Sequence, residues 1–197
     1  MNKLLLASSN PGKLREIRSL LSKEEFELLS PADLDLTLAV KEDGQTYAEN
    51  AARKALAYAS QTGLLSLADD SGLEVEALDG APGLYSARYA PQPGATDADR
   101  RRYLLRQLSG HPQPWNAIFH CTIAVATPQG EVYYSEGVCD GEIISEERGT
   151  NGFGYDPIFF IPELGKTMAE LSLEEKNRIS HRARAVRAAI PILNRLI

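Results

Sequence analysis

Apolar residues recur with two different periods along this chain, and the changes of period mark its elements. KLLLAS at 3–8 is an apolar run suited to a buried strand, and SNPG at 9–12 reads as the turn that ends it. Over 13–21 the spacing becomes helical, with Leu14, Ile17 and Leu21 on one face. A second helix is predicted from Thr46, which has capping-box spacing to Glu49, up to Gly63. Its Ala48, Ala51, Ala52, Ala55 and Ala59 offer a small-residue surface for close packing. The LADDSG strand follows, with Asp69 and Asp70 expected at its mouth.

Residues 80–94, rich in Gly, Pro and Tyr, read as a long ordered loop. Thr96 and Asp99 begin a helix over 100–108 that Gly110 ends. Runs at 117–127 and 131–138, joined by Pro128, Gln129 and Gly130, predict a hairpin. Residues 172–197 look like one long helix opened by Ser172 and Glu175, yet at about 100° per residue Lys176 and His181 would lie roughly 140° apart and could not face one pocket. Ser180 is a good N-cap, so the reading is a short helix ending near Ile179, a second beginning at His181, and an end or kink at Pro191. Helices interleaved with strands, plus one hairpin, predict an α/β fold with a mixed sheet and helices on its faces.

Composition narrows the classes. With 197 residues, 43% of them hydrophobic, the chain suits one globular domain over 1–197, and no repeat, low-complexity tract or linker divides it. A formal net charge of −6 gives no general attraction to nucleic acid or to an anionic membrane, so a phosphate site must be built from locally placed cations. No apolar run approaches the roughly 20 residues of a membrane span, and the chain reads as soluble and cytoplasmic. Cys121 and Cys139 lie in strand-like runs and are expected as reduced core residues.

Four stretches could carry chemistry. SSNPGK at 8–13 places Ser8, Ser9, Asn10 and Lys13 where a strand turns into a helix, an anion cradle or simply a helix cap with a solvated lysine. Asp69 and Asp70, joined by Glu42 and Asp43, supply hard oxygen donors; adjacent carboxylates repel, and the compensating cation is read as a divalent metal such as Mg²⁺. TNGFGYDP at 150–157 could present Phe153 to a base, with Asp156 accepting hydrogen bonds, or be a bulge at a strand entry. EEKNRISHR at 174–182 brings positive side chains, or a solvated basic face. The D-x-D-x-T pattern from Asp33 to Thr37 matches that of aspartyl-phosphate phosphatases, but Ser30, Pro31 and Ala32 replace the buried strand such a nucleophile requires.

Together these stretches resemble the inosine triphosphate pyrophosphatase family, which hydrolyses non-standard purine nucleoside triphosphates to the monophosphate and pyrophosphate. The resemblance rests on SSNPGK, ENA at 49–51, LADDSGLEV at 67–75, GAPGLYSARYA at 80–90, FHC at 119–121, GFGYDPIFF at 152–160 and EEKNRISHR. It implies an elongated mixed β-sheet flanked by helices, two lobes with a deep central cleft, and commonly a homodimer. It further implies that Ser8, Ser9, Asn10 and Lys13 hold the triphosphate, that Asp70 is the general base and a Mg²⁺ ligand, and that Glu42 is a further ligand. Ser71 would touch substrate, while Phe153, Gly154, Tyr155, Asp156, Lys176, His181 and Arg182 would complete the nucleotide pocket. Donors such as Arg182 and backbone N–H groups would favour the 6-keto group of hypoxanthine or xanthine over adenine. A binding module without turnover could use the same cradle and pocket; Asp70 is the residue that separates the two readings.

Overall fold

A computed structural model of the protein describes residues 2–196. In chain order come β1 (Asn2–Leu6), α1 (Pro11–Leu20), β2 (Phe26–Leu29), α2 (Tyr47–Thr62), β3 (Leu65–Val75), β4 (Pro82–Gly83) and α3 (Asp97–Leu108). They are followed by β5 (Trp115–Ala126), β6 (Val132–Ile143), β7 (Phe159–Ile161), β8 (Lys166–Thr167), α4 (Leu173–Ile179) and α5 (His181–Leu196). The sheet order is β2-β1-β3-β5-β6-β7-β8, with β4 beside β3. Strand β1 is parallel to β2 and β3, while β7 is antiparallel to β6 and β8, so the sheet is mixed as expected.

Local chemistry explains most boundaries. Asn10 caps α1 and Pro11 takes its first position, where a missing N–H costs nothing. Thr46 caps α2 by accepting from the Glu49 N–H at 3.1 Å, but the Glu49 carboxylate accepts instead from the Gln45 N–H at 2.8 Å, so only half of the predicted box forms. Gly63, at φ 68°, ends that helix. At Ser180 the backbone is extended, φ −66° and ψ 154°, which separates α4 from α5 where the facing argument placed the break. Pro191 does not end α5, which continues to Leu196; the expected reach to Ile197 lies outside the described residues. The proline is exposed while Ala189 and Leu193 are buried, so packing of the opposite face outweighs the roughly 3 kcal/mol a helix-interior proline costs. No described helix is long and apolar enough to cross a membrane.

Two compact units are distinguished. The first comprises the described residues up to Asp70, Cys121–Gly137, and those from His181 onward; the second comprises Ser71–His120 and Val138–Ser180. In the first, strand alternation sorts the core onto two faces. Leu4, Leu6 and Leu67 pack with Ile17 of α1, with Leu21 just past its end, and with Val186 and Leu193 of α5. Leu5, Ala7 and Ala68 pack under Ala51, Ala55 and Ala59 of α2, alanine meeting alanine, which lets helix and sheet approach closely. The second unit has a single core that joins Leu73 and Val75 to Leu104 and Leu108 of α3 and to Phe119 and Phe159, whose ring centroids lie 4.3 Å apart. Cys121 and Cys139 are both buried and are not joined to each other.

Within the first unit, β6 also seats the start of α5. The Ser135 hydroxyl donates to the Ala185 carbonyl at 2.9 Å, and Gly137 passes so close that a Cβ there would lie 2.3 Å from the His181 carbonyl oxygen and 2.5 Å from the Ala185 nitrogen. Gly137→Ala is therefore expected to push the first turn of α5 off the sheet and cost about 1–3 kcal/mol, read as a lower urea midpoint.

Candidate active site

The last pair between β1 and β3 is Leu6 with Leu67, and the Ala7 N–H donates to the Leu67 carbonyl at 2.7 Å. Strand β3 runs on past the end of its parallel neighbour, so Asp69 and Asp70 lie inside the strand and not at its mouth as expected. They stand beyond the carboxyl end of β1, where α/β sheets place ligands. Being consecutive on a strand, they point to opposite faces. Adjacency in the chain is thus separation across the sheet, and each carboxylate meets its own set of partners.

Asp69 faces α1 and α5. Its Oδ2 lies 3.0 Å from Lys13 Nζ and accepts from Nε and Nη2 of Arg182, each at 3.2 Å. Arg182 Nη1 donates to Glu16 on α1 at 2.5 Å, and the side chains of Arg182 and Glu16 are each only 2% exposed. Burial alone would raise the proton affinity of Asp69, but Lys13 and Arg182 outweigh it and hold the carboxyl well below its ordinary range. Arg182 loses by burial and gains more from Asp69 and Glu16, which keep it firmly charged. Cys121, buried and close enough to Asp69 to feel its charge, has its thiol pushed up to about 12, too high for a nucleophile.

Asp70 faces α2. Its Oδ2 accepts from Asn50 Nδ2 at 3.1 Å, and its Oδ1 lies 3.3 Å from Lys54 Nζ. The Gly44 N–H donates to Asn50 Oδ1 at 2.8 Å, which fixes the carboxamide with its NH₂ toward Asp70. Lys54 Nζ also reaches Glu42 Oε1 at 3.1 Å and donates to the Asp69 carbonyl at 2.6 Å. Asn50 and Lys54 are four apart and share one face of α2, whereas Arg53 is turned about 100° away and pairs with Asp43. Glu42 and not Asp43 therefore shares a cation with Asp70. Burial raises the proton affinity of Asp70; Lys54 and Lys13 offset only part of this, and Glu42 adds to it. Lys54 loses by burial but is raised overall by Asp70, Asp69 and Glu42.

Lys54 is the residue that the sequence reading missed. The compensation assigned to a metal is supplied here by Lys54 on one face and by Lys13 with Arg182 on the other. The signal was present, since Lys54 follows Asn50 of the ENA motif by four residues on a predicted helix.

In the turn at 8–13, Asn10 Oδ1 accepts from the N–H groups of Gly12 (2.9 Å) and Lys13 (3.1 Å), and the Asn10 N–H donates to the Ser8 hydroxyl at 3.2 Å. Two amides of the expected anion cradle are thus already capped. Ser9 is exposed, while His181 is buried as the first residue of α5. Asp33 accepts from the Ser30 N–H at 2.7 Å and from Arg18 at 2.8 Å, the work of a turn and not of a nucleophile.

The second unit contains the other group. Ser71 continues β3 directly after Asp70 and is half-buried. Gly152 and Gly154, both at positive φ (74° and 63°), flank Phe153, whose N–H donates to Asp156 Oδ2 at 2.9 Å. Lys176 pairs with that oxygen at 2.5 Å, and its Nζ lies 5.1 Å from the centre of the Phe153 ring. Tyr155 is turned inward, its hydroxyl donating to the Ser86 carbonyl at 2.8 Å, with burial raising its pKa.

Comparison with known proteins gives one answer throughout. The model of the Ham1 family matches residues 4–192. A dITP/XTP pyrophosphatase of Desulforamulus reducens is 50% identical over 195 residues, 98% of this chain and 96% of its own length. The structure of a HAM1 protein from Coxiella burnetii superposes with a TM-score of 0.88 at 42% identity, covering 99% of this chain and 100% of that one. A nucleoside-triphosphatase / dITP/XTP pyrophosphatase from Mycobacterium abscessus superposes with a TM-score of 0.75 at 43% identity, over 96% of this chain and 99% of that one.

The two aspartates have opposite consequences for stability. The folded pKa of Asp69 lies below its unfolded value, so its contribution is present above about pH 4 and is lost as pH falls through the folded value. Asp69→Asn leaves buried Arg182 and Lys13 under-compensated and is expected to cost about 3–5 kcal/mol at pH 7 by urea titration. The folded pKa of Asp70 lies above its unfolded value, so its contribution is present below about pH 4 and is lost as pH rises through the folded value. Asp70→Asn removes the cost of burying that charge but leaves Lys54 with Glu42 as its carboxylate partner, so the melting temperature at pH 7 is expected to fall less than for Asp69→Asn, as calorimetry would read.

Proposed function

The chain belongs to the Ham1 family and is a nucleoside triphosphate pyrophosphatase, and from that premise we propose that it hydrolyses the non-standard purine nucleotides ITP, dITP and XTP to the monophosphate and pyrophosphate. The observation that carries this reading is the group on the α2 face of β3: a carboxylate of raised proton affinity, Asp70, beside a carboxamide, a lysine and a second carboxylate. A raised pKa makes a carboxylate a better base, and Asp70 accordingly takes the proton of the attacking water. Asn50 holds one Asp70 oxygen and leaves the other directed toward the cation.

A divalent metal fits this donor set. Glu42 and Asp70 offer only carboxylate oxygens, and a cation, Lys54 Nζ, already sits within 3.1 and 3.3 Å of them. Among the described residues no three His, Cys, Asp or Glu side chains gather to hold a metal unaided, which suits Mg²⁺, an ion that takes one or two carboxylates and completes its shell with phosphate oxygens and water. Bound there, Mg²⁺ would supply charge neutralisation at the phosphates. Lys13 leaves Asp69 to meet the polyphosphate, with Ser8, Ser9 and Asn10 lining its path. Arg182 has its donors committed to Asp69 and Glu16 and serves by holding that assembly in place.

The second unit's group serves the base. The Phe153 ring stacks on the purine, and Lys176, fixed by Asp156, offers a donor to the 6-keto oxygen that adenine lacks. Incubation with ITP and, in parallel, ATP is expected to yield IMP and pyrophosphate from ITP alone, and only with Mg²⁺. Asp70→Asn should reduce kcat roughly a hundredfold to ten-thousandfold. Orthophosphate as product, equal turnover of ATP, or near-normal activity of the variant would overturn the reading.

A further inference from the structure

We infer that Asp97 and Arg101 of α3 are positioning residues for the base: they hold the Gly154 peptide groups from both sides and thereby set the direction of the Phe153 ring. The Gly154 N–H donates to Asp97 Oδ2 at 2.7 Å, and the Gly154 carbonyl accepts from Arg101 Nη1 at 2.8 Å. Asp97 and Arg101 are four residues apart and share one face of α3. Arg101 is itself fixed as a fork on Glu147, Nε and Nη2 each 2.9 Å from a carboxylate oxygen, and its side chain is only 12% exposed.

The loop needs such a clamp. Glycine populates positive and negative φ about equally, so two glycines flanking an aromatic leave its direction free unless something outside the loop removes that freedom. At Gly152 the removal is internal, since a Cβ there would lie 2.0 Å from Asp156 Oδ2. At Gly154 nothing lies within 4 Å of a Cβ position, so packing does not fix it; the two hydrogen bonds from α3 do. Both are charge-assisted, and both fall in the peptide groups immediately after Phe153. Burial would raise the pKa of Asp97, but the Gly154 N–H and Arg100 bring it below its ordinary value, so the acceptor stays ionised.

This assignment rests on the reading of Phe153 as the stacking platform, and the test separates the two. Steady-state kinetics of the full chain with ITP and ATP, at saturating Mg²⁺, are compared for Asp97→Ala, Asp97→Asn, Arg101→Leu, Glu147→Gln and Phe153→Ala, with inorganic triphosphate as a competitive inhibitor that has no base. Asp97→Ala and Arg101→Leu are expected to raise KM for ITP about five- to tenfold and narrow the preference over ATP, with kcat within about twofold and the triphosphate inhibition constant unchanged. Asp97→Asn, which keeps an acceptor for the Gly154 N–H, should recover most of the loss. Glu147→Gln, at an exposed position, gives a milder shift of about twofold and serves if Arg101→Leu does not fold. If Phe153→Ala raises KM while the α3 and Glu147 variants do not, the clamp is refuted and stacking stands. If Phe153→Ala changes neither KM nor preference, stacking fails and the clamp's role fails with it. A parallel loss of triphosphate binding in the α3 variants would mean a general structural defect and overturn the assignment.

Discussion

Everything in the first unit is arranged around one carboxylate that water does not reach. Asp69 lies between Lys13 and Arg182, and Arg182 in turn lies against Glu16, so that β3, α1 and α5 are tied by alternating charges with almost no exposed surface. Such a group is costly to desolvate and is tolerated only when each charge has a close partner of opposite sign and good geometry. Three elements that also share an apolar core are thereby locked in one register, which apolar packing alone would leave free to slide. On the other side of the same strand, Asp70 is treated differently: it is partly compensated and left with an elevated proton affinity. One face of β3 carries a carboxylate held below its ordinary proton affinity and the other a carboxylate raised above it.

Most of the fold was legible because its signals are local. The capping residues at Thr46, Thr96 and Ser172, the helix-ending Gly63, and the hairpin around Gly130 all stand where hydrogen bonding and backbone sterics place them, whereas α1 begins at Pro11, inside the stretch read as a turn. The break at Ser180 was legible from a facing argument, since one helix cannot aim Lys176 and His181 the same way. Local signals also misled. The apolar run before Asp69 suggested a strand that stops at its first charge, whereas β3 continues through two carboxylates because partners from separate helices make their burial tolerable. Pro191 sits inside α5 because tertiary packing outranks a local breaker.

The candidate site was legible as a set of residues and not as a set of pairings. The sequence reading placed Asp69 and Asp70 together and asked for one metal to quiet both; the strand's period of two gives each its own cations. Lys54 shares a helix face with Asn50 of the ENA motif, but its pairing with Glu42 and Asp70 follows from the seating of α2 against β3. Arg182 looked like a donor aimed at a base, but its guanidinium is turned to Glu16 and Asp69. Likewise the hold of α3 on Gly154 joins residues 57 and 53 positions apart, a relation that no window along the chain contains.

The opposite orientation of two neighbouring aspartates also constrains how this stretch can change by descent. Substitutions at either position alter one environment at a time, but losing or gaining a single codon upstream within β3 would rotate the whole strand by half a period and exchange the two carboxylates between faces. A deletion would carry Asp70 into the place of Asp69, against Lys13 and Arg182, whereas an insertion would carry Asp69 into the place of Asp70, beside Lys54. Length within β3 is therefore a constraint separate from composition, because either change of length breaks both sets of pairings at once.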